Sequence, residues 1–362
     1  MKTESYADFS LRMHDASVGG RIPVNAAIEL TYRCNNNCVH CYCSLPMGDE
    51  AASQKELATA EITELVDELA SMGTLWLLIT GGEPLLRGDF GEIYLHAKKR
   101  GLLVSFFTNG TLVDDDMVGL LAKYPPFVAE VTLYGATEET YEKVTRVKGS
   151  YRRCIEGIGS LRRAGIPLRL KTMALTINQH EVEAMDRRAA EWGCEFRFDP
   201  VIQKRIDGRV HSTPERYRIS PEDAVRLDRT FPKRMQEYER FCAKFVGPPA
   251  VSERLYRCGT GVSSLHINPY GMISGCSMMV REAFSVRQKG LRWIWEEGIR
   301  SVISGKKTFS LPCDTCRLVN LCGQCPAWSV LENSSYDRES GYLCGIAKTR
   351  ERSHAFLRQE AG

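Results

Sequence analysis

Three cysteines stand within eight residues in CNNNCVHC (34–41), separated by three and then two residues: Cys34, Cys38 and Cys41. Thiolates this close on one stretch of chain suit zinc, copper or an iron–sulfur cluster. A structural zinc site closes with four ligands, and Cys43 or His40 stands near enough to be the fourth. A cubane [4Fe–4S] cluster on three cysteines leaves one iron without a protein ligand, free to chelate a small molecule.

The remaining cysteines are unevenly spread. Cys154, Cys194 and Cys242 are scattered, whereas Cys258, Cys276, Cys313, Cys316, Cys322, Cys325 and Cys344 fill the last quarter of the 362-residue chain. No stretch approaches the roughly 20 apolar residues of a membrane span, and MKTESYADFSLRMHD lacks the apolar core of a secretory signal. These features imply a cytoplasmic protein, and in a reducing compartment fourteen cysteines point to metal rather than to disulfides. A net charge of +3 on a chain that is 26% charged gives no case for a nucleic-acid or membrane partner.

The elements that must position these groups alternate. Short apolar runs occur at NAAIEL (25–30), TLWLLIT (74–80), LLVSFFT (102–108), FVAEVTL (127–133), LRLKTMAL (168–175) and EFRFDPVI (195–202). Amphipathic patterns lie between most of them. One carries Leu57, Ile62, Leu65, Leu69 and Met72 at helical intervals, and another opens on Asn178 as an N-cap. Strand then helix, six times, predicts an α/β fold with parallel strands, either a doubly wound sheet or a partial barrel. In both, functional groups sit at the carboxyl ends of the strands. The cysteine loop follows the first strand, GGEP (81–84) the second and TNG (108–110) the third. Glycines there let backbone approach a ligand closely.

CX3CX2C, GGEP and TNGTL in this order, each at a strand end, resemble the radical S-adenosylmethionine superfamily over roughly residues 23–205. The resemblance implies a partial (β/α)6 TIM-type barrel. Cys34, Cys38 and Cys41 would ligate three irons of a [4Fe–4S] cluster, and S-adenosylmethionine would chelate the fourth. One-electron cleavage of the sulfonium would yield a 5′-deoxyadenosyl radical that abstracts a substrate hydrogen, with the protein positioning the cofactor and excluding water. By position, Gly81, Gly82, Glu83 and Pro84 would cradle the methionyl end, and His40 replaces an aromatic residue beside adenine. Thr108 and Asn109 fall at the third strand end. TLYG (132–135) is similar to the family's SLDG, with Tyr134 for its aspartate; Thr132, Arg146 and Asn178 would contact the cofactor's ribose or carboxylate. Cys43 reads as a bystander, and Cys154 and Cys194 as small buried residues.

The tail is similar to the SPASM extension of this superfamily. Cys258 and Cys276 precede a CX2CX5CX2C block, 313–325, and Cys344 follows. The resemblance implies two auxiliary [4Fe–4S] clusters: Cys313, Cys316, Cys322 and Cys344 hold the outer one, and Cys258, Cys276 and Cys325 the inner. An eighth cysteine found in some relatives is replaced by Ser252, so the inner cluster has an open iron, takes a non-cysteine ligand or recruits Cys242. The expected division is an N-terminal segment (1–22), barrel (23–205), bridge (206–257), SPASM unit (258–345) and C-terminal helix (346–362). The tail's short turns and glycines suggest that bound metal, more than apolar burial, stabilises it.

Relatives with this tail commonly modify ribosomally made peptides. The resemblance therefore implies a peptide or protein substrate, a reducing partner such as flavodoxin or ferredoxin, and a separate leader-recognition protein, the segment before the first strand being too short for the domain many relatives carry. Ser277 stands where the sulfatase-maturing branch has an aspartate base. Asp199, with Lys171 beside it, is the candidate acid or base. The alternatives are a small-molecule radical enzyme and a non-catalytic zinc protein.

Overall fold

The computed structural model describes residues 6–208, 213–245, 247 and 253–354. Ser252, the last residues of the expected C-terminal helix and parts of the expected bridge and N-terminal segment lie outside them. Six parallel strands follow the alternation in order: β1 (Asn25–Glu29), β2 (Trp76–Thr80), β3 (Leu103–Thr108), β4 (Val128–Thr132), β5 (Leu168–Met173) and β6 (Glu195–Asp199). Their period of two divides the side chains. Ala26, Ile28, Leu77, Ile79, Val104, Phe106, Ala129, Val131 and Leu170 enter the main hydrophobic core. Ala27, Glu29, Leu78, Thr80, Phe107, Thr132, Lys171, Met173, Arg197 and Asp199 face an interior cavity instead.

Helix α1 (Tyr6–Gly20) precedes β1 and lays Phe9 and His14 against Trp76 at the start of β2. The crossovers are α2 (Thr59–Ser71), α3 (Phe90–Lys99), α4 (Asp115–Lys123), the pair α5 (Glu138–Thr145) and α6 (Ser150–Arg163), and α7 (Val182–Glu191). Leu57 lies before α2 rather than in it, buried, with its N–H on Pro269 O (2.8 Å). Asn178 is not a side-chain cap; a single tight turn, Gln179–Glu181, separates it from α7.

The sheet continues past the expected barrel boundary. β7 (Ser264–Ile267) pairs parallel with the free edge of β1, placing His266 beside Ala27; β8 (Met272–Ser274) and β9 (Phe284–Ser285) add antiparallel. Among the described residues β6 and β9 remain unpaired edges, so the sheet does not close on itself. The tail's first half is therefore not held by metal alone: Leu265, Ile267, Ile273, Leu291, Ile294, Trp295 and Ile299 share the barrel's core. Covering the β1 edge removes a row of unpaired backbone groups, and the apolar burial that comes with it stabilises this half.

The bridge supplies α8 (Pro221–Thr230) and α9 (Pro232–Phe245), and the chain closes with α10 (Pro326–Asn333) and α11 (Gly341–Ser353). Buried Asp228 joins three of these helices, accepting from Arg234 Nε (2.8 Å) and Arg350 Nε (2.9 Å). Arg234 also donates to Phe198 O (3.1 Å) and borders the cavity. Asp228→Ala strands two guanidinium groups. It is expected to cost about 3 kcal/mol, the low end for breaking a buried pair because Arg234 is partly solvated, read as a lower urea midpoint.

Candidate active site

The loop after β1 is pinned from three sides. Asn37 and Val39 N–H groups donate to Thr145 and Val144 carbonyls at the end of α5 (both 3.0 Å). Arg205, from the segment after β6, donates to Cys41 O and Ser44 O (both 3.2 Å). Arg33 is held by Glu56 (2.9 Å). Cys34, Cys38 and Cys41 consequently border one cavity of about 790 Å³, together with Asn36 and His40.

Burial pushes the Cys34 and Cys38 thiols up. Cys41 is pushed down to about 6, chiefly by a hydrogen bond with the Cys43 thiol. Cys43 itself packs with Tyr32 and Leu45 in an apolar cluster that Cys41 also touches, and it does not border the cavity. Burial pushes His40 down to about 4 and keeps it neutral; its ring meets Tyr134 edge-on at 5.0 Å. The Tyr134 hydroxyl hydrogen-bonds to the Cys38 thiol.

Gly81 and Gly82 are glycines for a reason beyond ligand approach. Gly82 N–H donates to Thr31 O (2.6 Å) and Glu83 N–H to Arg33 O (3.0 Å). A Cβ on Gly81 would lie 2.3 Å from Thr31 O, and one on Gly82 2.4 Å from Arg33 O. The turn thus packs backbone to backbone on the cysteine loop.

The other expected site residues divide. Thr132 and Asp199 border the cavity. Asp199 opens into it, accepts from Val201 N (2.8 Å), and has its carboxyl pushed up by the surrounding protein. Thr108 and Asn109 also border it, but their side chains tie loops together. Thr108 Oγ1 donates to Glu83 (2.8 Å), while Asn109 Nδ2 donates to Asn35 (2.9 Å) and, weakly, to Cys34 Sγ (3.8 Å). Glu83 lies beneath the turn, accepting also from Asn109 N (2.7 Å), and burial pushes its carboxyl up to about 7. Pro84 is buried outside the cavity wall.

Two residues are placed elsewhere. Arg146 ends α5 in a left-handed conformation (φ 57°) and reaches Tyr217 OH (3.3 Å), away from the cavity wall. Asn178 is fully buried and spent on its own loop: Oδ1 accepts from Leu175 N (2.8 Å), and Nδ2 donates to Tyr134 O (2.9 Å) and Met173 O (3.1 Å). It therefore shapes the strand end and has no free group for a cofactor.

Sequence reasoning named His40 but missed the other open cavity groups around it. Glu29 Oε2, Asn36 Oδ1 and Nδ2, His40 Nδ1, His266 Nε2 and Trp328 Nε1 are buried, belong to residues that border the cavity and have no hydrogen-bond partner among the described residues. Glu29 Oε2 and His266 Nε2 face each other at 3.1 Å without hydrogen-bonding geometry. Buried polar atoms left open in this way cost free energy unless a ligand meets them. A charge inside each of two apolar strands, NAAIEL and SLHI, was the available signal.

The tail cysteines gather in two groups. Cys276 and Cys325 share an apolar cluster with Tyr256, Met279 and Ala327, and Cys258 lies beside them. Cys313 has Cys322, Cys316 and Cys344 as neighbours. Cys242 packs with Cys316, Cys322, Leu318 and Leu321. It thus lies beside the second group rather than the first. Ser277, directly after Cys276, and Trp328, three residues after Cys325, reach the cavity.

Among the described residues no three His, Cys, Asp or Glu side chains converge on a single-ion site, the arrangement a structural zinc needs. Thiolates that take separate corners of a cluster need no such convergence. Three soft donors on one pinned loop, the glycine turn, and the open polar atoms of Asn36 and His40 fit an iron–sulfur cluster with a chelating small molecule.

Residues 28–189 match the Radical SAM superfamily. It is 29% identical over 337 residues to an AdoMet-dependent heme synthase of Methanosarcina barkeri, covering 87% of this chain and 95% of that protein. It is 28% identical over 276 residues to the mycofactocin maturase MftC of Mycolicibacterium smegmatis, covering 72% and 66%. The crystal structure of Streptococcus suis SuiB bound to precursor peptide SuiA superposes with a TM-score of 0.71 at 16% identity, covering 95% and 82%. That likeness shows the shared fold, with the tail included.

Proposed function

We propose that this chain is a peptide-modifying radical S-adenosylmethionine enzyme whose tail is a SPASM-type unit. The observation that carries the reading is the composition of the cavity wall. Barrel thiols, the glycine turn and the tail residues Ser277 and Trp328 border one space. Cys34, Cys38 and Cys41 would hold the radical-generating cluster. Cys313, Cys316, Cys322 and Cys344 would hold one auxiliary cluster, and Cys258, Cys276 and Cys325 another with an open or non-cysteine position. When bound, cluster and S-adenosylmethionine supply one-electron cleavage of the sulfonium and a carbon radical able to take a hydrogen atom from substrate.

The chain's own residues position and shield that chemistry. Gly81, Gly82, Asn36 and His40 line the cofactor side, and Glu83, Thr108 and Asn109 lock the three loops together. Tyr134 directs its hydroxyl at Cys38. Asp199, at the end of β6, is the candidate proton acceptor. The likeness to a mycofactocin maturase and to the fold of a precursor-peptide complex supports a peptide substrate. A flavodoxin or ferredoxin would supply electrons, a separate protein would present the leader, and the enzyme would work in an oxygen-poor cytoplasm. No helix among the described residues is long and apolar enough to cross a membrane.

A tetrapyrrole substrate is the second reading, favoured by a heme synthase match that spans nearly all of that relative. Anaerobic incubation with S-adenosylmethionine, reductant and either short peptides encoded beside the gene or an iron coproporphyrin separates the two. A mass change in a peptide is expected; a change only in the porphyrin would replace the first reading by the second.

A further inference from the structure

The cavity wall carries a charge arrangement that the reading above does not use. Glu130 on β4 is buried, and three cations share it. Arg169 Nη1 lies at 3.0 Å, Arg197 Nη2 is in closer contact, and Lys171 Nζ is the loosest at 3.7 Å. Arg169 also pairs with Glu195 (2.7 Å) at the surface. The Lys171 ammonium rests instead on the Phe107 ring, 2.8 Å from its centroid. Lys171 and Arg197 border the cavity, whereas Glu130 lies behind them.

The charged groups facing Lys171 are therefore Glu130 from β4, Arg197 from β6 and Arg169 from its own strand, with the phenyl face of β3 beneath. With Lys171 protonated, three cations stand against one buried and one surface carboxylate, an excess of positive charge. A desolvated ammonium of this kind keeps its proton only when an anion meets it, and otherwise relieves the excess by giving the proton up. The geometry points to an anion subsite in which Lys171 and Arg197 together receive the carboxylate of a ligand entering the cavity. Asp199 does not fill it, since its Oδ1 is taken by Val201 N and its carboxyl faces Arg234 and Arg350 as well as Arg197.

Burial pushes the Lys171 ammonium down to about 7, the Arg197 and Arg169 charges adding to the effect and Glu130 opposing it. A carboxylate arriving beside it favours the charged form, so binding takes up a proton near neutral pH. Two sources present such a group: the methionyl end of S-adenosylmethionine, or an acidic group on the substrate. The subsite does not depend on which reaction follows, because proton uptake is read without turnover.

The test is calorimetry on the anaerobically purified full chain at pH 7.5 in phosphate and in Tris, buffers whose ionisation heats differ. One arm titrates S-adenosylmethionine. The other titrates acetate, with acetamide as the neutral control, into protein already saturated with S-adenosylmethionine. Wild type is expected to take up roughly three-quarters of a proton more than Lys171→Met in one arm, the fraction of a pKa-7 amine left unprotonated at about pH 7.5; the comparison cancels the proton that the cofactor's amino group releases on chelating iron. A difference in the first arm assigns the carboxylate to the cofactor; a difference only in the second assigns it to the substrate side. Lys171→Arg should keep binding and match Lys171→Met in proton balance. No difference between wild type and Lys171→Met in either arm overturns the subsite.

Discussion

Cys38→Ala is expected to reduce 5′-deoxyadenosine formation to the assay background. The loss should exceed the roughly hundredfold that changes outside a metal's own ligand set can cause. Cys38 is nearly buried, borders the cavity between Cys34 and Cys41, and is the thiol Tyr134 addresses. Cys43 does not stand in for it, because it packs with Tyr32 and Leu45 behind Cys41 and does not border the cavity. Iron content should fall by about four atoms per chain, one cubane, while the rest stays with the tail thiols on their own elements. Iron analysis beside chromatographic detection of 5′-deoxyadenosine checks both. Wild-type cleavage in this variant would remove the three-cysteine assignment.

The second large effect comes from a residue without a side chain. Gly81→Ala places a Cβ 2.3 Å from Thr31 O and 3.2 Å from Thr31 N, at a position whose φ of +138° already disfavours any L side chain. The obstacle is backbone, and it cannot yield cheaply. Thr31 directly follows Leu30, whose N–H is bonded to Thr80 O (2.9 Å), and β1 is paired along its length with β2. Overpacking of about 1–3 kcal/mol and a similar backbone strain combine to an expected loss of about 3–5 kcal/mol. Displacing the cysteine loop should also empty the barrel cluster. Gly88→Ala is the control, since nothing lies within 4 Å of its Cβ. Thermal unfolding and iron content read the outcome; a stable, fully loaded Gly81→Ala would mean the glycine serves only the ligand.

The barrel was legible because its signals are local. Each of the six parallel strands is an apolar run of its own, and the three functional motifs lie where those runs end. What was not legible depends on partners distant in sequence. Nothing in SLHI announces a parallel pairing with β1, yet that pairing brings His266 to Glu29 and merges half the tail with the barrel core. Thr108, Asn109 and Asn178 read as ligand contacts because polar residues at strand ends have that meaning in general. Only the folded loops show their amides and hydroxyls spent on one another. Arg146 sits at a family spacing, but a left-handed turn directs it to Tyr217. Asp199 and Lys171 were within reach of the pattern, since alternation along β5 and β6 puts both on the cavity side. The excess charge around Glu130 was not, because it is assembled from three strands.

The most direct measurement is the fate of S-adenosylmethionine on anaerobically prepared, iron- and sulfide-loaded protein reduced with dithionite. The account predicts brown protein with about twelve irons per chain if all three cubanes fill, which splits the nucleotide into 5′-deoxyadenosine and methionine. Colourless protein carrying zinc at the same cysteines and leaving the nucleotide intact would contradict it.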